Sequence, residues 1–123
     1  MFQDTIAAIA TADAMGAISV IRISGSDAIQ IVTDLTGKDL SDAKGYTIHY
    51  ATIKEGNESV DEVLVSLFRA PKSYTGEDVV EISCHGGVYI TRKVLSLILG
   101  AGARMARRGE FTERAFLSGK MDL

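Results

Sequence analysis

VVEISCHGGVYITRKVLSLILG, residues 79–100, changes its apolar period partway along. Over Val79–His85 apolar and polar residues alternate. Val80, Ile82 and Cys84 therefore share one face of an extended strand, and Glu81, Ser83 and His85 share the other. After Gly86 and Gly87 the spacing becomes helical: Ile90, Val94, Leu97 and Ile98 fall on one stripe, and Gly100 and Gly102 end the run. A strand that turns directly into an amphipathic helix means a sheet with a helix packed on it. The rest of the chain repeats this grammar.

Upstream, DTIAAIAT (4–11) and AISVIRI (17–23) read as two strands joined by the loop ADAMG. DAIQIVTDLTG (27–37) reads as a short helix with Ser26 as N-cap and Gly37 as stop. YTIHYATIK (46–54) and VDEVLVSLFRA (60–70) flank the turn EGNES and read as a hairpin, closed by Pro71 because proline lacks the ladder donor. SYTGED (73–78) is a turn. ARMA (103–106) reads as a short strand, and FTERAFLSG (111–119) as a last helix with Phe111, Ala115 and Phe116 inward. The expected fold is α+β: a mixed sheet packed with two to three helices.

Composition bounds the function classes. The 123 residues are one domain's worth of chain, 46% hydrophobic and 24% charged, with a net charge of −3. That is an ordinary globular balance, neither disordered nor strongly basic. A single cysteine cannot form an internal disulfide. The N-terminus lacks a basic segment followed by a long apolar core, so a reducing, cytoplasmic setting is expected. No apolar run approaches the roughly 18 to 20 residues of a membrane span. Arg104, Arg107, Arg108, Arg114 and Lys120 crowd the last twenty residues, either as a solvated face or as an RNA contact. The chain breaks off at GKMDL without a cap or polar tail, as the front piece of something longer would.

Three chemistries can be weighed on residues alone. Cys84 beside His85 suggests a thiol nucleophile, but alternation puts the two on opposite faces and Cys84 with the apolar set. Two histidines and one cysteine match no metal spacing, and no P-loop or dinucleotide fingerprint is present. The Gly86-Gly87 pair either offers backbone N–H groups to an anion or makes a tight turn. Arg22 and Glu81 are the unusual residues, charges in the middle of apolar strands. They are solvent-facing, or form a structural ion pair, or are two poles of a polar ligand site.

Three segments in order, DTIAAIAT with GAISVIRISG, then SYTGEDVVEISCHGG, then GEFTERAFLSGKMDL, resemble the N-terminal domain of the tRNA modification GTPases called MnmE or TrmE. The resemblance spans nearly all of residues 1–123. It implies a homodimerising, tetrahydrofolate-binding module similar in fold to the folate domain of the glycine-cleavage T-protein. In that family a helical domain and an inserted GTPase domain follow, and the catalytic cysteine, the P-loop and the potassium and magnesium sites belong to them. The whole protein acts with an FAD-dependent partner, MnmG, on C5 of the wobble uridine of tRNA, with 5-formyl- or methylenetetrahydrofolate as one-carbon source. Carried over by motif position, the folate contacts fall on Arg22, Glu81 and Lys120, with no catalytic residue and no metal ligand in this segment.

That assignment makes chemical sense. A carboxylate accepts from two adjacent pterin N–H donors, which suits Glu81, and a cation at Arg22 or Lys120 suits the carboxylate tail. Tyr74, Tyr89, Phe111 and Phe116 are candidate walls for a flat ring. The residue reading leaves open which of Arg22 and Lys120 faces the tail. An interaction or tRNA-docking module without folate is the alternative. Two departures from the family pattern remove prolines: TADAMG stands where TPPGRG is common, and Arg108 stands where proline precedes GEF. Both loops gain backbone freedom.

Overall fold

Strand alternation and helical stripes both point inward to one shared layer. The computed structural model describes residues 4–11 and 18–120. Chain order is β1 (Ile6–Ile9), β2 (Ser19–Ser24), α1 (Ala28–Thr36), β3 (Thr47–Glu55), β4 (Glu58–Phe68), β5 (Val79–Cys84), α2 (Gly87–Gly100), β6 (Arg104–Met105) and α3 (Glu110–Leu117). The six strands form one mixed sheet in the order β3-β4-β5-β2-β1-β6, antiparallel except for the β1–β6 edge pair. This is the α+β architecture expected from the pattern. The ADAMG loop lies outside the described residues.

α1 and α2 cover one face of the sheet. Their buried residues, Ile29, Ile31 and Val32 from α1 and Val94, Leu95 and Ile98 from α2, meet Ile21, Ile23, Val63, Val65, Val80, Ile82 and Cys84 from the strands. Burying each of these larger aliphatic side chains contributes about 1.5–3 kcal/mol, and together they form the main core. The other face is covered only at the β1–β2 end, where Ile6, Ser24 and Val79 are buried. Away from that end it is open.

The start of α1 differs from expectation. Asp27, not Ser26, holds the N-cap position, and its side chain makes no capping bond. The cause is a close approach. Gly25 has φ +145°, and a Cβ there would sit 2.4 Å from Thr5 Oγ1. The same threonine hydroxyl accepts the Asp27 N–H at 3.1 Å, leaving Ser26 exposed. Gly37 ends the helix as expected, its N–H bonded to the Thr33 carbonyl.

α3 is the larger correction. Ala115 is buried as expected, but Phe116 is exposed and Phe111 only half-buried. The inward positions are Glu110 and Arg114, 4% and 2% exposed. A charged network, not an apolar stripe, seats this helix.

Candidate ligand site

One cross-strand row organises the open face. Ala8, Arg22, Glu81, Ser66 and Ile48 stand side by side across five strands, paired in register. The two charges intruding into apolar strands are therefore direct neighbours. Arg22 Nε donates to Glu81 Oε2 at 2.8 Å, with both side chains a little over one quarter exposed. The pair is monodentate. Among the described residues, Glu81 Oε1 and the two terminal Arg22 nitrogens have no protein partner. A partly exposed carboxylate oxygen next to two guanidinium nitrogens, each with two N–H donors, can both accept from and donate to a ligand.

Aromatic rings fix the arginine. The Arg22 guanidinium lies 5.4 Å from the Tyr74 ring centre and 5.6 Å from that of Phe111, within cation–π range of both. Tyr74 comes from the 69–78 loop and Phe111 from α3, and the Tyr74 hydroxyl meets Thr112 Oγ1 at 3.0 Å. Of the four aromatic candidates, these two flank the site. Phe116 is exposed at the other end of α3, and Tyr89, 79% exposed, is on α2, the helix of the opposite face.

Beneath these walls is the network that sequence reasoning missed. Arg114 Nη1 donates to Glu77 Oε1 and to the Asp4 carbonyl, both at 2.9 Å, and Nη2 reaches Asp4 Oδ1 at 2.5 Å. Ser24 donates to the same Glu77 oxygen at 2.9 Å and shares a 2.7 Å bond with Thr75. This ties β2, the Tyr74 loop and α3 together next to Arg22. Gly76 permits the close fit: it has φ +84°, and a Cβ there would come within 2.9 Å of Ser118 Cβ. The available signal was the pair Glu110 and Arg114, spaced i, i+4, which reads equally well as a solvated surface pair.

Lys120 lies just beyond α3. Its backbone N–H bonds to the Ala115 carbonyl at 2.8 Å, and its stem passes over Gly76. Its ammonium makes no bond among the described residues and does not touch the Arg22–Glu81 pair. Of the C-terminal arginines, Arg104, Arg107 and Arg114 are paired with Asp4, Glu77, Glu110 and Glu113. Three of the five cations that suggested RNA are thus neutralised at home.

EISCHGG resolves without a nucleophile. Cys84 is fully buried under α2, and burial pushes its thiol up to about 12, helped by the charge on Asp61. At neutral pH it should react with a maleimide only as fast as the chain unfolds; prompt stoichiometric labelling of the native chain would overturn this. Asp61 Oδ2 accepts the N–H groups of both His85 and Gly86, at 2.9 and 3.3 Å, so the chain's own carboxylate occupies the start of α2. His85 Nδ1 meets the Glu62 carbonyl. The glycines make the turn. Among the described residues no cluster of three His, Cys, Asp or Glu could hold a metal ion, and no helix is long and apolar enough to cross a membrane.

Fold and site together define a small α+β module with one helix-covered face and, on the other, a carboxylate–guanidinium pair held between aromatic walls. Its sequence matches the model of the GTP-binding protein TrmE N-terminus over residues 5–120, and the chain belongs to that family. Among its curated relatives is a protein of Lacticaseibacillus paracasei, 55% identical over 98% of this chain. Proteins of Bacteroides thetaiotaomicron and Carboxydothermus hydrogenoformans are 56% and 54% identical over the whole chain. All three are called tRNA modification GTPase MnmE. The chain spans 27–28% of their length.

Proposed function

We propose that this chain is the tetrahydrofolate-binding, homodimerising module of a cytoplasmic GTPase that modifies C5 of the tRNA wobble uridine together with the FAD-dependent protein MnmG. Family membership supports the setting, and the names of the relatives supply the GTPase and tRNA activity. One observation carries the site: among the described residues Glu81 keeps an oxygen without a protein partner beside Arg22, which is itself clamped by Tyr74 and Phe111. That donor set fits a reduced pterin. Glu81 accepts the ring and exocyclic N–H groups, and the free Arg22 nitrogens donate to a carbonyl or carboxylate. The clamp spares the ligand the cost of ordering a long side chain.

When bound, the folate supplies a one-carbon unit; the residues here hold and orient it. Lys120, at the far end of α3 and without an ion pair among the described residues, is the third proposed contact. GTP hydrolysis, with its potassium and magnesium, is assigned to the segments of the relatives that this chain does not span.

The open face suits a second copy. Ile48, Tyr50, Leu64 and Tyr46 are 40–68% exposed and lie on or beside the row that holds Arg22 and Glu81. An apolar surface contiguous with the ligand site would bury both at once.

Calorimetric titration of 5-formyltetrahydrofolate should show binding by the chain and at least tenfold weaker binding by Glu81→Ala, as expected for losing charge-assisted bonds worth roughly 1.5–3 kcal/mol. No heat of binding, or equal affinity in the variant, removes the site assignment.

A further inference from the structure

Immediately beside Arg22 the open face deepens into a cleft of about 310 Å³ between β1 and the loop that leads into α3. Its floor is small-residue backbone at Ala8 and Ala10. Its rim carries three guanidinium residues, Arg22, Arg107 and Arg108, and among the described residues no acidic side chain lines it. Two of the three are already partnered: Arg22 by Glu81, and Arg107 by Glu110 and Glu113 at 3.3 and 3.2 Å. Arg108 is exposed and makes no ion pair among the described residues. Among the described residues the cleft therefore carries uncompensated positive charge. An extended chain bearing carboxylates has the matching charge.

The geometry also gives a direction. Arg108 precedes α3 and Lys120 follows it, so the two cations sit at opposite ends of a helix roughly 12 Å long. With a pterin anchored on Glu81, the tail can run toward only one of them. The cleft lies on the Arg108 side.

We propose that the cleft takes the γ-linked glutamate tail of the ligand, with Arg108 as the residue that makes the chain prefer folates carrying several glutamates over the monoglutamate. This rests on the folate reading of the Arg22–Glu81 site. Each added glutamate brings one more carboxylate, and exposed ion pairs of this kind contribute a few tenths to about 1 kcal/mol each. Two or three of them give a preference on the order of tenfold at low salt, shrinking as salt screens the pairs.

The test is competitive calorimetry of 5-formyltetrahydrofolate as mono- and pentaglutamate against the chain, Arg108→Ala, Arg108→Lys and Lys120→Ala. The pentaglutamate should bind about tenfold more tightly in 50 mM salt. Arg108→Ala should lower that ratio by roughly two- to fivefold, the worth of one exposed pair, and Arg108→Lys should keep most of it. Arg108 makes no side-chain bond among the described residues, so the fold survives these changes, as circular dichroism would verify. Equal affinity of the unsubstituted chain for both forms overturns the tail cleft while leaving the pterin site standing. A preference lost in Lys120→Ala but kept in Arg108→Ala reverses the direction of the tail and overturns it too. Failure of both forms to bind removes the folate reading itself.

Discussion

Arg114→Met is expected to lower folding stability by about 3–5 kcal/mol, the usual result of removing one partner from a buried ion pair. Methionine fills much of the volume, so the loss comes from the charges left behind. Glu77 is 4% exposed and would keep neutral donors such as the Ser24 hydroxyl; Asp4 and Glu110 would lose one of the two cations they share and keep Arg104. Urea unfolding reads the effect as a lower midpoint at unchanged slope. The double change Arg114→Met with Glu77→Gln should recover a substantial part of the loss, because no uncompensated buried carboxylate then faces β2. A single variant within 1 kcal/mol of the parent would mean that the network is solvated and not structural.

The same substitution reaches the candidate ligand site without touching it. Arg114 fixes α3, which carries Phe111, and binds Glu77, which together with Ser24 fixes the loop that carries Tyr74. Both walls of the Arg22 clamp thus hang on one buried guanidinium. This explains a charged network where an apolar helix face would be easier to build: it fixes the position of α3 by several directed bonds at once, where an apolar face would tolerate sliding.

How much of this could be read in advance divides along local and non-local lines. The β5–α2 unit was legible because its apolar period changes from two to nearly four within one segment. Cys84 and His85 were separable for the same reason. Arg22 and Glu81 stood out as charges in apolar runs, though nothing local fixes the β2–β5 register that makes them neighbours. α3 was misjudged because its partners are remote: Arg114 meets an aspartate 110 positions away in sequence. Periodicity ranks Phe111 and Phe116 as inward residues, since it sees hydrophobicity and not charge complementarity. The Ser26 cap failed similarly, displaced by the approach of Gly25 to Thr5 across a strand pair.

Acid should unfold the chain from the α3 end, and Glu110 sets the sign. Its carboxylate accepts two bonds from Arg104, at 3.1 and 2.7 Å, and one from the Arg107 backbone N–H at 2.8 Å. The Arg104 hydrogen bonds foremost, with those from Arg107, outweigh burial and hold its carboxyl well below the usual carboxylate range. Asp4 is lowered as well, chiefly by Arg104. The unfolded chain takes up the Glu110 proton at its ordinary value near 4.3 while the folded chain still refuses it. The stabilisation is thus fully present above about pH 5, and it falls by roughly 1.4 kcal/mol per pH unit below about pH 4 until the folded group itself protonates. Glu110→Gln removes this dependence: it should be less stable than the parent at pH 7, and the gap should narrow steadily between pH 4.5 and 2.5. Urea midpoints measured across that range check it. A gap that stays constant would show that Glu110 titrates alike in both states, and that the carboxylate at the start of α3 is held by nothing stronger than solvent.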